Sequence, residues 1–346
     1  MLLSCPFNLD RPANRVLWEI TGKCNMNCKH CLYFTTNDNS KITDIPTENV
    51  FQIIHQMQND GSIDEVWLSG GEPLMRNDLL SIIKEITKCG MKPSLSTNGY
   101  LVNPCLAENL RDSGVDYVHL SIDGINSEIH DGFRQKRGAF EHVLAAAKYL
   151  SNEEIIIGAT CIISWFNIDN IKQMVELAIS NNIRVLSFYM IEPLGRGKAF
   201  NHKLDQSLML RLSQDYEEIN KEFGNSIHLE LFRSCSHREP LQDCKCFNFF
   251  TITNNGMLGG CPWLMKSPNN PCLYDLKQYQ FESARVLLQN SLKEFVSKRK
   301  INDTLCENCR WIQSCGKGCP AVSDNSFIDP LCEFMRWGNE QVMEYR

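Results

Sequence analysis

The chain has 346 residues, of which 43% are hydrophobic, and its formal net charge is −6. A chain of this length has enough apolar side chains for a large core, and the length alone predicts two domains. The acidic balance, without any block of basic residues, argues against a nucleic-acid partner.

Location is indicated by what the sequence lacks and by its cysteines. No apolar stretch reaches transmembrane length, and the first fifteen residues lack the basic start and apolar core of a signal peptide. Seventeen cysteines are present, and their short, clustered spacings indicate metal ligation rather than disulfides. We therefore expect a reducing, cytoplasmic location and no membrane partner.

Short β-branched runs alternate with amphipathic stretches from Arg15 to about Met190. Six runs predict strands: RVLWEI, EVWLS, KPSLS, YVHLS, IIIGATCII and RVLSFYM. Five stretches between them predict helices: Thr47–Asp60, Asp78–Gly90, Pro104–Ser113, Ala139–Leu150 and Ile168–Asn181. This alternation is typical of an α/β fold with right-handed βαβ units and a parallel sheet. Six strands are too few to close an eight-stranded barrel.

A cysteine motif, CxxxCxxC, follows the first predicted strand and consists of Cys24, Cys28 and Cys31. Three thiolates can bind one face of a small iron–sulfur cluster, whereas complete ligation of a cubane takes four cysteines. The iron left open is where a metal does chemistry. A zinc knuckle is the alternative, but it needs a fourth ligand, and His30 lies between two of the cysteines.

Polar motifs follow the other predicted strands, and the carboxyl ends of parallel strands are where active sites gather. The motifs are Ser69-Gly70-Gly71-Glu72-Pro73, Ser96-Thr97-Asn98-Gly99, Ser121-Ile122-Asp123-Gly124 and Tyr189-Met190-Ile191-Glu192-Pro193. A GGEP turn alone is a weak indication of a ligand site, because such turns are common in loops. Its position one βα unit after CxxxCxxC makes the combination specific.

Together these motifs resemble the radical S-adenosylmethionine (radical SAM) superfamily. The resemblance implies a partial (β/α)6 barrel in which Cys24, Cys28 and Cys31 hold a 4Fe–4S cluster. It also implies that SAM chelates the fourth iron and is cleaved by one electron to methionine and a 5′-deoxyadenosyl radical. That radical abstracts a hydrogen atom from the substrate, while the protein places the reactants and excludes side reactions.

The resemblance further implies a SAM site at the strand ends. Its residues would be His30, Gly70, Gly71, Glu72, Thr97, Asn98, Ser121, Asp123, Arg134 and Met190. His30 matches the position beside the adenine, and Glu72 offers a carboxylate to the SAM ammonium. Thr97 and its polar neighbours suit the ribose hydroxyls. Arg134 would pair with the SAM carboxylate, although an exposed surface charge is the alternative interpretation.

A second cysteine system follows a bridge that contains a predicted helix (Asp205–Phe223) and an apolar run (Ile227–Phe232). Ten of the seventeen cysteines lie between Cys235 and Cys332. Their order, CX9GX4C, then CX2CX5CX3C and a last cysteine, resembles the SPASM extension of radical SAM enzymes. We therefore predict four regions: an N-terminal segment 1–13, the barrel 14–197, a bridging region 198–232 and a SPASM domain 233–346.

In the SPASM family the extension holds two auxiliary 4Fe–4S clusters. By position, the resemblance assigns Cys306, Cys309, Cys315 and Cys332 to one, and Cys246, Cys261 and Cys319 to the other. Two such clusters take eight cysteines, so one ligand is missing. Cys244 is favoured, and Cys235 and Cys272 are alternatives. An open iron that binds substrate, or a pair of zinc ribbons, are the other interpretations.

The sequence departs from the sulfatase-maturating branch at one position. Those enzymes carry a catalytic aspartate after the second cysteine of CX9GX4C, where this chain has Pro262. Formylglycine formation by that route is therefore doubtful. Asp123, Tyr189 and Glu192 are candidates for the acid–base role, and the sequence does not select among them.

The resemblance implies an enzyme whose substrate is a peptide, modified by crosslinking, epimerisation or oxidation. Because about a dozen residues precede the first strand, we expect a separate peptide-recognition protein, and flavodoxin or ferredoxin as electron donor. A small-molecule substrate (tetrapyrrole, sugar or nucleoside) is the alternative. A non-catalytic electron carrier is disfavoured, because it has no use for the GGE motif.

Overall fold

The computed structural model describes residues 15–33, 42–191, 194–199, 206–232, 249–267, 270 and 272–297. Its strands are β1 (Arg15–Thr21), β2 (Glu65–Gly70), β3 (Lys92–Thr97), β4 (Tyr117–Ser121), β5 (Ile156–Ile163), β6 (Val185–Met190), β7 (His228–Phe232), β8 (Phe250–Ile252), β9 (Met257–Gly259) and β10 (Tyr274–Asp275). They form one sheet in the order β10-β9-β8-β1-β2-β3-β4-β5-β6-β7.

The helices surround this sheet. They are α1 (Thr47–Asp60), α2 (Leu79–Lys88), α3 (Pro104–Asp112), α4 (Ser127–Arg134), α5 (Ala139–Asn152), α6 (Ile171–Ser180), α7 (Gln206–Phe223), α8 (Pro262–Lys266) and α9 (Phe281–Ser297). None of the helices in the described ranges is both long enough and apolar enough to cross a bilayer.

The predicted strands and helices of the barrel are confirmed, with small shifts at their ends. The last predicted barrel helix begins with a 3₁₀ turn, Ile168–Asn170, before α6. Helix α4 was not predicted, because its eight residues, SEIHDGFR, are mostly polar. Asn126 starts it by accepting a hydrogen bond from the Ile129 N–H at 3.0 Å, as an N-cap residue does.

The parallel part of the sheet is larger than the six strands predicted. Strand β7 pairs in parallel with β6, and β8 pairs in parallel with β1 on the other side. Each covers a strand edge whose backbone groups would otherwise lack partners. The partial barrel is therefore extended by residues from the predicted bridge and from the predicted SPASM region. The predicted domain boundaries at residues 197 and 232 stay predictions. Strands from both sides of each boundary belong to the same sheet.

The two faces of the barrel strands differ in chemistry. In β1, Val16, Trp18 and Ile20 are fully buried in the apolar layer beneath the helices. The intervening residues point to the opposite, inner face, because side chains alternate along a strand. There Arg15 pairs with Glu65 of β2 at 3.4 Å. The helices thus cover an apolar outer face, and the interior is lined with polar groups.

The described part of the C-terminal region shares the core of the barrel. Helix α9 lies against α1, where the Phe281 N–H donates to Gln56 Oε1 at 2.9 Å and Arg285 pairs with Asp60 at 2.8 Å. The α9 side chains that enter the same apolar core are Phe281, Ala284, Leu288 and Leu292.

Leu288→Ala tests this shared core. Leu288 is fully buried, whereas its neighbour Leu287 is 41% exposed. We expect Leu288→Ala to lower the free energy of unfolding by about 2–5 kcal/mol and Leu287→Ala by less than about 0.5 kcal/mol. Denaturant unfolding of anaerobically purified protein measures both. A separate early transition in Leu288→Ala, with the barrel unaffected, would contradict a shared core.

Candidate active site at the carboxyl ends of the strands

The cysteine loop is fixed at both of its ends. Where β1 ends, Asp44 accepts hydrogen bonds from the Thr21 hydroxyl at 2.6 Å and the Gly22 N–H at 2.8 Å. Further along, the Lys29 N–H donates to the Phe133 carbonyl at 2.9 Å. The loop therefore has a defined path from the end of β1 to helix α4.

The structure brings the three predicted ligands together in a small apolar cluster with Met26 and Ala139. Cys28 is buried, and Cys24 and Cys31 are half-buried. Burial raises the pKa of Cys24 to about 12 and that of Cys28 to about 11. Such thiols give up their protons only to a metal or another strong positive charge.

The spacing of these thiols fits a cluster better than one zinc ion. Tetrahedral zinc, with Zn–S bonds of about 2.3 Å, brings its thiolates to about 3.8 Å from one another. Among the described residues, the one group with three ligand atoms within 4.8 Å of one another is His55, Glu85 and Cys89. The three Sγ atoms of Cys24, Cys28 and Cys31 do not meet this limit, so they lie farther apart than the thiolates around one zinc ion.

The GGE turn lies directly against the cysteine loop. The Gly71 N–H donates to the Thr21 carbonyl and the Glu72 N–H to the Lys23 carbonyl, both at 2.8 Å. Gly70 has a φ of +128°, and a Cβ on Gly71 would lie 2.2 Å from the Lys23 carbonyl oxygen. Both positions need glycine, because a side chain would separate the two loops.

Glu72 is fully buried, and its side chain connects the GGE turn with the loop after β3. Its carboxylate accepts hydrogen bonds from the Thr97 hydroxyl at 2.7 Å, the Asn98 N–H at 2.8 Å and the Leu74 N–H at 3.1 Å. Burial raises its pKa, although these donors oppose the shift. A carboxylate has about four acceptor positions, so one is left for the predicted SAM ammonium. That contact, and the ribose contacts of Thr97 and Asn98, stay predictions.

Arg134 is 6% exposed, so the interpretation as an exposed surface charge is wrong. Its guanidinium makes two bonds of 2.8 Å to Asp123 Oδ2. The other carboxylate oxygen accepts the Ile162 N–H at 2.8 Å. Burial alone would raise the pKa of Asp123, but the guanidinium holds it below its usual value. The pair is therefore a fixed, ionised unit at the end of β4.

His30 lies beside this pair and its ring stacks on Phe133, with centroids 4.4 Å apart. Burial lowers the His30 pKa to about 4, so the ring is neutral at pH 7. Two buried nitrogens here, His30 Nδ1 and Asn25 Nδ2, have no hydrogen-bond partner among the described residues. Buried polar groups are normally satisfied, so these atoms fit the presence of a polar cofactor such as SAM.

The other predicted SAM and acid–base residues are spread around the mouth of the barrel. Ser121 is half-buried at the end of β4. The Met190 side chain packs in the apolar core, so only its backbone is available at the strand end. The Tyr189 ring lies 5.9 Å from that of Trp263 at 26°. Glu192 lies outside the described residues.

Two predicted auxiliary-cluster cysteines are described. Cys261 is buried where α8 begins, and Cys272 is half-buried beside the core. The remaining ones lie outside the described residues: Cys235, Cys244, Cys246, Cys306, Cys309, Cys315, Cys319 and Cys332. The auxiliary clusters therefore stay a prediction.

An ion pair between Glu19 and Lys266, which was not predicted from the sequence, lies beside the cysteine loop. The Lys266 ammonium lies 2.9 Å from Glu19 Oε2 and 5.0 Å from the Tyr33 ring centroid. The other oxygen, Glu19 Oε1, is buried and has no hydrogen-bond partner among the described residues. Burial raises the pKa of Glu19, and Lys266 opposes this. The sequence feature that could have indicated this pair is Glu19 itself, a carboxylate within an apolar strand next to the cysteine motif.

Comparisons with known proteins agree with this geometry. The model of the radical SAM superfamily matches residues 18–178. An AdoMet-dependent heme synthase of Methanosarcina barkeri is 35% identical over 53% of this chain and 52% of its own length. A GTP 3′,8-cyclase of Clostridium perfringens is 32% identical over 70% of this chain and 78% of its own length. The chain spans about half the length of three curated relatives, two named AdoMet-dependent heme synthase and one named Fe-coproporphyrin III synthase.

Two solved structures share the fold. Streptococcus suis SuiB bound to S-adenosylmethionine has a TM-score of 0.76 at 16% identity, covering 93% of this chain and 77% of SuiB. The enzyme anSMEcpe with bound AdoMet has a TM-score of 0.74 at 17% identity, covering 96% of this chain and 97% of its own. At these identities the similarity shows the fold alone.

Gly71→Ala tests the contact between the two loops. The added methyl group meets the Lys23 carbonyl, and such overpacking costs about 1–3 kcal/mol, so we expect loss of most of the iron bound by the cysteine loop. The control is Gly132→Ala in α4, where a Cβ would meet nothing within 4 Å. Iron content and SAM binding after anaerobic reconstitution measure the effect. Equal iron and SAM binding in both variants would contradict the prediction.

Proposed function

The chain belongs to the radical SAM superfamily, and we propose that it abstracts a hydrogen atom from a substrate bound in the barrel interior. The observation that carries the proposal is the contact of the cysteine loop with the GGE turn at one end of the sheet. When bound to Cys24, Cys28 and Cys31, a 4Fe–4S cluster supplies the electron that cleaves SAM. We propose two auxiliary clusters on the C-terminal cysteines.

The surrounding residues bind and orient SAM. The Arg134 guanidinium lies close to the cysteine loop, with Nη1 4.0 Å from Cys28 Sγ, and suits the SAM carboxylate. Asp123 holds it in position. Neutral His30 offers an apolar ring face to the adenine, and its Nδ1, which has no hydrogen-bond partner among the described residues, is available to a polar group of the cofactor. These groups are fixed before SAM arrives, which reduces the entropy lost on binding.

The charges of the barrel interior favour a peptide substrate. Two carboxylates of the interior are each paired with a cation: Glu19 with Lys266 at 2.9 Å and Glu65 with Arg15 at 3.4 Å. A third, Glu230, accepts a hydrogen bond from the Ser187 hydroxyl at 2.5 Å. The negative groups of a polyanionic substrate would either have to take the cations from these pairs or remain without a cation. Both outcomes leave a carboxylate unpaired away from water, which is unfavourable. A peptide amide, by contrast, needs only hydrogen-bonding groups. Crosslinking, epimerisation and oxidation are the reactions we propose for it.

A tetrapyrrole is the second candidate substrate. The observation in its favour is the 35% identity to a protein named AdoMet-dependent heme synthase. The paired charges of the interior argue against it, since tetrapyrroles carry several carboxylates that each need a cation.

We further propose that Glu19 contacts the reacting part of the substrate. Its free oxygen, Oε1, and the buried Thr251 hydroxyl both lack partners among the described residues, and they suit the N–H and C=O of a peptide bond. The Arg134 guanidinium holds the pKa of Asp123 below its usual value, which makes this carboxylate a weak base. Burial raises the pKa of Tyr189, which makes the phenol a poor base. Glu19 therefore suits the role that the sulfatase maturases give to an aspartate at the position of Pro262.

The cellular setting is also a proposal. We propose a reducing cytoplasm, reduction by flavodoxin or ferredoxin, and a separate protein that recognises the peptide.

Replacing the three N-terminal cysteines by alanine tests the reaction. We expect no 5′-deoxyadenosine from SAM under anaerobic reduction with dithionite, because the electron then has no route to SAM. Cys105→Ala is the control, since Cys105 is exposed on α3. Liquid chromatography with mass spectrometry measures the product. Continued 5′-deoxyadenosine formation by the triple variant would show that Cys24, Cys28 and Cys31 do not hold the cluster that cleaves SAM.

The same assay separates the two substrate classes. Candidate precursor peptides, deuterated at their α-carbons and side-chain carbons, and iron coproporphyrin III are each added to the reconstituted enzyme. Deuterium transferred to 5′-deoxyadenosine from a peptide supports the first candidate. Consumption of the coproporphyrin, with no response to peptides, supports the second.

Glu19→Gln tests the substrate contact with whichever compound is turned over. Hydrogen bonds to charged groups contribute about 1.5–3 kcal/mol, so product formed per 5′-deoxyadenosine should fall about 10- to 100-fold. Glu65→Gln is the matched control, because both Glu65 oxygens already have partners, Ser94 and Arg15. Equal product ratios in the two variants would exclude Glu19 from this role.

A further inference from the structure

We propose that His55, Glu85 and Cys89 bind a Zn²⁺ ion on the outer, helical side of the barrel. His55 belongs to α1, Glu85 to α2, and Cys89 follows α2 directly. One ligand atom from each lies within 4.8 Å of the other two, and no other such trio of His, Cys, Asp or Glu occurs in the described part of the chain. This site is separate from the cysteine loop and from the strand ends.

Helix geometry places the ligands. Glu85 and Cys89 are four residues apart, so their side chains lie on the same helix face, and the Cys89 N–H donates to the Glu85 carbonyl at 3.0 Å. His55 reaches across from α1, with Nε2 2.6 Å from Glu85 Oε1. Tetrahedral zinc with N and O ligands at about 2.0–2.1 Å holds them about 3.3 Å apart. The half-exposed imidazole, at 51%, can rotate outward by this small amount.

The chemistry of the trio selects the metal. A neutral imidazole, a carboxylate and a thiolate suit Zn²⁺, whereas Mg²⁺ and Ca²⁺ prefer oxygen ligands alone. The carboxylate and the thiolate together balance the charge of the ion. Three protein ligands leave the fourth position of the ion for water. Water can reach this position because the His55 side chain is half-exposed.

One cation already competes for this site. Lys88 Nζ lies 3.3 Å and 3.4 Å from the two carboxylate oxygens of Glu85, but its side chain is 76% exposed. Exposed ion pairs of this type contribute little to stability. Direct bonds from Glu85 and the Cys89 thiolate to Zn²⁺ therefore displace the ammonium.

The consequence of zinc binding is a fixed position for α1. Next to His55, Gln56 accepts the Phe281 N–H of α9, and Asp60 pairs with Arg285 of the same helix. A metal that joins α1 to α2 stabilises the surface to which α9 docks. Zinc should therefore raise the melting temperature of the wild type, because a ligand that binds only the folded state stabilises it.

The test uses the full chain, reconstituted anaerobically with iron and sulfide, and ZnCl₂ as the probe. After one equivalent of zinc and desalting, elemental analysis should give one zinc per chain in the wild type and in Cys105→Ser, which changes an exposed cysteine elsewhere. In His55→Ala and Cys89→Ser, zinc affinity should fall at least tenfold. Unchanged iron content shows that these variants are folded.

Zinc X-ray absorption then identifies the ligands. The proposal requires one sulfur at about 2.3 Å with nitrogen and oxygen at about 2.0–2.1 Å, and loss of the sulfur in Cys89→Ser. Zinc bound equally by the wild type and both variants, zinc surrounded by several sulfurs, or no retained zinc would each overturn it. None of these results depends on SAM cleavage, so they leave the proposed function to its own test.

Discussion

The close approach of two backbone segments is the constraint on which the site depends. The carbonyls of Thr21 and Lys23 accept the N–H groups of Gly71 and Glu72, both at 2.8 Å. This contact leaves no room for a Cβ at either glycine of the turn. Because β1 and β2 are adjacent parallel strands, their ends are already neighbours, and the two hydrogen bonds convert that proximity into a fixed cysteine loop.

A second set of hydrogen bonds connects this loop with the C-terminal region. Asp44, which binds the end of β1, also accepts the Asn254 side-chain amide at 2.9 Å, and the Ile45 N–H donates to the Asn254 carbonyl at 2.9 Å. Arg76, just after the GGE turn, donates to the carbonyls of Ile20 at 2.8 Å and Ile45 at 3.0 Å. The turn after β8 therefore helps to hold the cysteine loop, so the C-terminal region is part of the site's framework.

Features that depend on neighbouring residues could be predicted from the sequence, whereas features that depend on distant partners could not. The strand and helix positions follow from short periodic patterns, and the cysteine and glycine motifs each lie within one loop. Burial of Arg134 could not be decided, because it depends on where the fold places Asp123. Glu19 was missed for the same reason: its partner, Lys266, lies 247 residues away. Strand β8 was missed because three residues carry too little pattern to identify a strand.

Two charge pairs lie at the mouth of the barrel, and we propose that the Asp123–Arg134 pair serves the cofactor and the Glu19–Lys266 pair the substrate. Buried ion pairs are weak contributors to stability, since desolvation offsets much of their attraction. Their presence at strand ends is therefore better explained by function. In the Asp123–Arg134 pair, Asp123 Oδ2 binds Arg134 and Oδ1 accepts the Ile162 N–H, which suits orientation of a fixed cofactor. The Glu19–Lys266 pair leaves one carboxylate oxygen buried and unsatisfied, which suits a group that receives its hydrogen bond only when substrate binds.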